Sequence, residues 1–551
     1  LSYARTDLNF PDGFDVEVFT QAELRATAEY ARENFDREHV TPYMRRRIND
    51  SLAHLQSPQD LSRLRLTVDE PEDFEVLNGI FSYFGGNHFS LDDVSILAEQ
   101  MPDLFVANQH LIRDGGATLG TGEKLWKRAK RAIPGGNMLL SKRAEMFLPV
   151  GWPSYFSRTS GCQVWDLDGN RFLDVGYMGI GTNVLGYSHP KVDEAVLRVV
   201  ESGNLSTLNC PEEVELAERL VDLHPWSAMA KFTRSGGEAC AVALRIARAA
   251  SGKDGVAFCG YHGWHDWYLS AALASDGALD QHLLAGLETN GVPAALSGGS
   301  RPFAYNKLDE LEEILREGAT GVIFMEVERN FPPDPGFLAG VKRLSRKYGA
   351  VLVFDECTSG FRQVIGGLHL QYGVDPDIVI FGKTLGNGYA INAIVGTRDV
   401  MESANSTFIS STFWTERIGP AAALASLEVM SAENAPARIH SIGLEVRESW
   451  KNLARGIGLQ LDVRGVPALS SFGIVGFDQN SVKTLVTKEL LNHGYLSTTA
   501  LYASIAHSPE IIHSYLAALG GVFEKLFDLG PDGLKAELPL GPALAGFSRL
   551  N

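Results

Sequence analysis

The chain has 551 residues, 45% hydrophobic and 21% charged, with a formal net charge of −18. That length implies two to four domains. The acidic balance excludes nucleic acid or an anionic membrane surface as partner, since both need a basic face, and no apolar run approaches the roughly 18 residues of a membrane helix. The five cysteines (Cys162, Cys210, Cys240, Cys259, Cys357) are odd in number and scattered, with none at zinc-ligand spacing. They read as reduced, mostly buried thiols of a cytoplasmic protein. The sequence opens at Leu1-Ser2-Tyr3-Ala4 without a Met, as a fragment of a longer polypeptide would.

In chain order, residues 1–112 are predicted as one unit. It holds a charged amphipathic stretch from Gln21 to Glu38 and a strand-like run from Leu64 to Val68. A helix start follows at Asp69-Glu70-Pro71-Glu72-Asp73, with Asp69 as cap and Pro71 in the first turn. The small, glycine-rich run within residues 113–122 reads as a linker. Residues 123–185 lead into a stretch at 186–435 where helix-like and strand-like segments alternate. Helices are predicted at Glu212–Leu223, Glu238–Ala250, Leu308–Glu317 and Phe337–Tyr348, and strands at Gly255–Phe258, Gly321–Met325, Val351–Phe354 and Ile378–Phe381. Such alternation predicts an α/β fold whose large, mostly parallel sheet is covered by helices. Residues 436–551, with strands near Leu459–Val463 and Phe472–Phe477, read as a smaller α+β domain.

Two of these strands end on an ionisable group: Asp355 after Val351–Phe354, and Lys383 just after Ile378–Phe381. Ligands bind at that edge of open α/β sheets. An amine and an acid presented together suit a cofactor that needs a Schiff base at one end and a carboxylate for a ring nitrogen at the other, which describes pyridoxal 5′-phosphate (PLP). Read singly, Lys383 is more readily a surface lysine at a strand end, whereas for Asp355 capping of the next helix is the lesser alternative. Arg234-Ser235-Gly236-Gly237-Glu238 opens a helix with free N–H groups suited to a phosphate dianion. After the strand at Val256–Phe258, the segment Tyr261-His262-Gly263-Trp264-His265-Asp266-Trp267 can lay Tyr261 or His262 on a ring face. Trp264, His265 and Trp267 read as core packing.

Together these segments resemble the class III, fold-type I PLP aminotransferases, in the glutamate-1-semialdehyde aminomutase branch. The resemblance covers about residues 121–545. It rests on Ile133-Pro134-Gly135-Gly136, Val164-Trp165-Asp166-Leu167-Asp168-Gly169-Asn170, Leu185-Gly186-Tyr187-Ser188-His189-Pro190, Ser235-Gly236-Gly237-Glu238-Ala239, Tyr261-His262-Gly263, Asp355-Glu356-Cys357-Thr358-Ser359-Gly360-Phe361-Arg362 and Gly382-Lys383. The resemblance implies that Lys383 is the Schiff-base lysine, Asp355 the partner of the pyridine nitrogen, and Tyr261 the residue stacked on the ring. It makes Ser235, Gly236 and Gly237 the phosphate cup, with His262, Glu326 and Cys357 around the cofactor. Thr412 corresponds to a threonine reaching the phosphate from the neighbouring subunit, so a homodimer with shared sites is implied.

Three positions depart from the family pattern. Gly237 replaces the cup's threonine, Cys357 stands for valine, and Glu326-Val327 for Glu-Pro. The aminomutases follow Pro-Gly-Gly with a Ser and an Arg that hold the substrate carboxylate. Here the segment runs from Asn137 through Ser141, Lys142 and Arg143 out of register. Asn137, Lys142 and Arg143 remain substrate candidates, as do Glu416 and Arg417, the latter as an alternative clamp.

The front unit resembles the C-terminal part of a cytidylyltransferase of the CMP-sugar and spore-coat-polysaccharide type. The motifs are Phe10-Pro11-Asp12-Gly13-Phe14-Asp15-Val16-Glu17-Val18-Phe19, Arg37-Glu38-His39-Val40-Thr41-Pro42-Tyr43 and Arg65-Leu66-Thr67-Val68-Asp69-Glu70-Pro71-Glu72-Asp73. Asp69 matches a magnesium position, and magnesium is implied only where the missing nucleotide-binding half is present. The expectation is a PLP-dependent aminotransferase acting on a small carbonyl or amine metabolite, a sugar or CMP-activated compound being favoured. Its rivals are an aminomutase, a catalytically decayed scaffold and a nucleotidyltransferase remnant.

Overall fold

The computed structural model describes residues 2–7, 9–31, 40–47, 53–69, 71–108, 120–275, 277–280, 282, 289–328 and 330–544. Of the sequence readings, residues 32–38 of the amphipathic stretch, the Arg37-Glu38-His39 part of a front motif, Glu70 and residues 113–119 of the linker fall outside these. The chain divides into two compact units, Leu1–Lys124 and Leu125–Asn551.

In the first unit, Tyr3–Thr6 pairs antiparallel with Glu17–Phe19 and parallel with Ala53–Leu55. A helix begins at Pro71 and runs to Phe84, burying Val76 and Ile80. The strand expected over Leu64–Val68 is reduced to one bridge between Asp12 and Arg65. Its backbone is instead organised by the buried Arg65 guanidinium, which donates to Asp73 (Nε–Oδ1 2.8 Å) and Asp12 (2.5 Å).

The second unit is built on a seven-stranded sheet, labelled here β1 (Met229–Thr233), β2 (Gly255–Cys259), β3 (Ser300–Pro302), β4 (Thr320–Glu326), β5 (Val351–Glu356), β6 (Ile378–Phe381) and β7 (Asn392–Gly396). Its order is β1-β7-β6-β5-β4-β2-β3. β7 runs antiparallel to both neighbours, and the remaining pairs are parallel. The central strands are apolar without alternation because both faces are covered; all seven residues of β4 are buried. The two faces feed two cores. Val351 and Val353 of β5 pack with Ala239, Ala243 and Ile246 of helix α1 (Gly236–Ser251). Leu352 and Phe354 pack on the opposite side with Leu338 and Val341 of helix α2 (Phe337–Tyr348). Each such Val, Leu, Ile or Phe side chain contributes about 1.5–3 kcal/mol on burial.

A second sheet joins distant parts of this unit. Phe156–Ser160, Gln163–Asp166 and Arg171–Asp174 form a meander, and Tyr495–Leu496 adds to it in parallel through Tyr495↔Leu173. The segment before residue 185 therefore packs with the terminal region rather than standing alone. Leu461–Arg464, Leu469–Ile474 and Ala500–Tyr502 form an antiparallel sheet against the long helices Ala435–Gly456 and Pro509–Ala536.

Candidate active site

Four strand ends meet at one edge of the large sheet. β2 delivers Tyr261 and His262, β4 delivers Glu326, β5 delivers Asp355 and Glu356, and β6 delivers Lys383. Because neighbouring strands lie about 4.8 Å apart and Asp355 is paired with Ile380 in register, the acid and the amine share this edge.

Lys383 Nζ rests on Thr358 Oγ1 at 2.9 Å. Its own φ is 35°, a left-handed conformation uncommon outside glycine and one that functional sites tolerate. Gly382 before it has no room for a side chain: a β-carbon there would lie 2.1 Å from Asn392 Oδ1 and 3.2 Å from Cys357 Sγ.

Asp355 is buried with three donors around it. Its Oδ2 receives His262 Nδ1 (2.8 Å) and Cys240 Sγ (3.3 Å), and its Oδ1 receives the Cys357 N–H (3.0 Å). Burial pushes this carboxyl up, but the hydrogen bond and charge of His262, the Cys357 N–H and Lys383 together hold it below its ordinary value. The other nitrogen of His262 faces the Cys259 carbonyl at 3.2 Å. Cys240, His262 and Asp355 bring potential ligand atoms within 4.8 Å of one another. Cys240 and His262 both bond to Asp355, and the Cys240 thiol is pushed well above its ordinary value by its bond with Cys357, by burial and by Asp355.

The side chain after Asp355 points to the other face of the sheet, as strand alternation requires. There Glu356, wholly buried, accepts from His369 Nδ1 (2.6 Å), the N–H groups of His369 and Leu368, and Ser359 Oγ. This cage pins the turn that carries Thr358 and Arg362. Arg362 is itself buried and donates to the carbonyls of Thr358 and Gly181; burial lowers its guanidinium to about 10.

Glu326 accepts the Tyr261 N–H at 3.1 Å, fixing the loop that presents the Tyr261 ring. At the start of α1, Glu238 takes the N–H groups of Arg234 and Ser235, and the first-turn N–H groups that follow are those a helix leaves without intrahelical partners. Cys357 Sγ would be 3.7 Å from a β-carbon at Gly236, so the cup and the acid-bearing strand lie side by side. A phosphate at the helix start, a ring over the Asp355 carboxylate and an amine at Lys383 thus match the two ends of PLP, and the residues present fit that cofactor.

Of the substrate candidates, only Lys142 lines the neighbouring cavity of about 350 Å³, with Phe147, Trp152, Tyr155, Tyr177, Tyr187, Asn183 and Thr498. Its lining includes Gly179, Ile180 and Gly388; next to Ile180, the Gly181 carbonyl accepts from Arg362, which also donates to the carbonyl of Thr358, the residue that receives Lys383 Nζ. Asn137 instead accepts the Leu139 N–H in a local turn, and Arg143 lies against Gly135. Glu416 pairs with Arg234 (2.7 Å) and caps the helix beginning at Ile418. Arg417, expected as a clamp, is closed on Glu212 by two bonds of 2.6 and 3.1 Å. The charges of Glu416 and Arg417 meet partners 182 and 205 residues away, which the sequence by itself does not show. Thr412 is exposed on a short helical turn. Asp69, the acid expected to bind magnesium, lies in the other unit, largely exposed, and accepts from Arg65 and Thr67.

Residues 150–512 match the family model for aminotransferase class-III. The chain belongs to this family. As a class-III aminotransferase it is a PLP-dependent transaminase. It is 32% identical over 422 residues to a glutamate-1-semialdehyde 2,1-aminomutase of Methanothrix thermoacetophila, covering 73% of this chain and 96% of that protein. It is 31% identical over 382 residues to a 2′-deamino-2′-hydroxyneamine transaminase of Streptomyces kanamyceticus, covering 67% and 91%. An omega-transaminase from Sphaerobacter thermophilus shares the fold, with TM-score 0.66, 24% identity and coverage of 75% of this chain and 99% of that one.

Thr358, Cys240, Asn392 and the Glu356 cage were not singled out from sequence. Glu356 and Thr358 did carry a signal, both lying in the run Asp355–Arg362 on which the family resemblance rests.

Proposed function

We propose that this class-III aminotransferase exchanges amino and carbonyl groups on a polyhydroxylated, sugar-like small molecule. The supporting observation is the cavity whose lining includes Lys142 and Gly388: aromatic faces suited to stacking on a sugar, hydroxyl and amide partners, and Lys142 as its one cation among the lining residues. The Ser and Arg that hold the substrate carboxylate in the aminomutases are out of register here, in the segment from Asn137 to Arg143, which disfavours glutamate 1-semialdehyde as the substrate. The transaminase of Streptomyces kanamyceticus and the front unit's resemblance to CMP-sugar cytidylyltransferases point the same way; a CMP-activated compound is the narrower form of the proposal.

PLP supplies an electron sink when bound. Lys383 would hold it, and once released the Nζ would take and return the proton at the substrate carbon bearing nitrogen. Asp355, backed by His262, would hold the proton on the ring nitrogen. Tyr261 would cover a ring face and the α1 N-terminus would bind the phosphate. We further infer a homodimer in which Thr412 of one subunit serves the phosphate site of the other. Five buried, unbridged cysteines suit a reducing, cytoplasmic setting.

Lys383→Ala is expected to abolish both the visible absorbance of bound PLP and turnover; normal turnover in that variant would end the assignment. Half-reactions followed by mass spectrometry then sort substrates. Amino sugars should convert the enzyme to its pyridoxamine form, and conversion by glutamate 1-semialdehyde alone, without a separate amino donor, would establish the mutase reading instead.

A further inference from the structure

The threonine missing from the phosphate cup leaves a space that another side chain fills. A β-carbon built on Gly237 would lie 2.9 Å from both Nδ1 and Cε1 of His265 and 3.5 Å from Trp264 Nε1. The imidazole edge therefore occupies the volume into which a threonine at 237 would extend its hydroxyl. Trp264 stacks on the ring at 4.4 Å and 24°, fixing its plane. Nδ1 is buried and has no hydrogen-bond partner among the described residues. A buried, unpartnered ring nitrogen costs free energy unless a ligand meets it.

We infer that His265 is a phosphate-binding residue, its Nδ1–H replacing the hydroxyl that Gly237 lacks, so the glycine and the histidine form one compensated donor pair. The inference rests on the PLP reading above. Burial lowers the His265 ring against the opposing pull of Glu238 and Asp266, which suits a neutral ring donating through one nitrogen. Gly263 keeps this approach open, since a β-carbon there would come within 2.9 Å of Gly237 Cα.

The test compares the affinities of the apoenzyme for PLP and for pyridoxal, which lacks the phosphate, by absorbance titration. His265→Ala is expected to weaken PLP binding ~10- to 100-fold, the range for one charge-assisted donor, and to leave pyridoxal binding unchanged. Gly237→Thr added to His265→Ala is expected to restore most of the loss. Should His265→Ala fail to fold, the equal-shaped pair His265→Asn and His265→Asp carries the same test: asparagine keeps a donor and PLP affinity, whereas aspartate loses PLP but not pyridoxal. Equal losses for both ligands, or no loss for PLP, overturn the inference. A wild-type enzyme that takes up no PLP at all would instead overturn the underlying cofactor reading.

Discussion

Replacing Asp355 by asparagine separates its charge from its shape. The carboxylate takes the Cys357 N–H on one oxygen, and His262 Nδ1 and Cys240 Sγ on the other. An amide with its oxygen towards Cys357 presents its NH2 to His262, whose Nδ1 then accepts while Nε2–H keeps its bond to the Cys259 carbonyl. The Cys240 sulfur accepts the second amide hydrogen. Every group stays partnered, so folding is expected to change by less than ~1 kcal/mol. The loss falls on the cofactor. One charge-assisted bond to a protonated ring nitrogen is worth about 1.5–3 kcal/mol, or ~10- to 150-fold in affinity. At saturating PLP the single-turnover rate is expected to fall by at least ~100-fold, as when a preorganised charge is removed from a dry site. Three measurements decide it: melting temperature, PLP affinity of the apoenzyme, and single-turnover amine conversion. An unchanged melting temperature with affinity and rate both near wild type would refute the placement of Asp355 beneath the ring nitrogen.

Two further outcomes follow from neighbouring residues. In Glu356→Gln, an amide NH2 must face two of the four donors, at an expected cost of about 3–5 kcal/mol as for a broken buried pair. Burial raises the Glu356 carboxyl, but His369 and the two N–H groups outweigh it and hold it below 4.5. Its stabilisation is thus present above pH 4.5 and lost as pH falls through the lower folded value. The melting-temperature gap between wild type and Glu356→Gln should therefore be constant above pH 4.5 and close in acid; a gap that widened would contradict this. Arg417→Lys breaks a two-point pair with a partly exposed Glu212 and is expected to lower the melting temperature only slightly, without altering KM for the amine. A tenfold rise in KM at unchanged melting temperature would return Arg417 to the substrate site.

Much of the catalytic edge was legible in the chain itself. A fully covered parallel strand must be apolar throughout, so Val351–Phe354 and Ile378–Phe381 announced their ends, and Asp355 and Lys383 stood just past them. The glycine-opened helix at Gly236 and the Tyr261-His262 pair were readable for the same reason, since local backbone chemistry places them. The tertiary structure decided which charges were already taken. Arg417 meets Glu212, Arg234 meets Glu416, and Arg65 meets Asp69 with its neighbours, and each pairing depends on side chains converging in three dimensions. It also decided that Tyr495 completes the sheet of Leu173, and that His265 stands where Gly237 leaves room. Periodicity and motif spacing are local quantities, whereas the partner of a buried polar group is set by the packing of the whole unit.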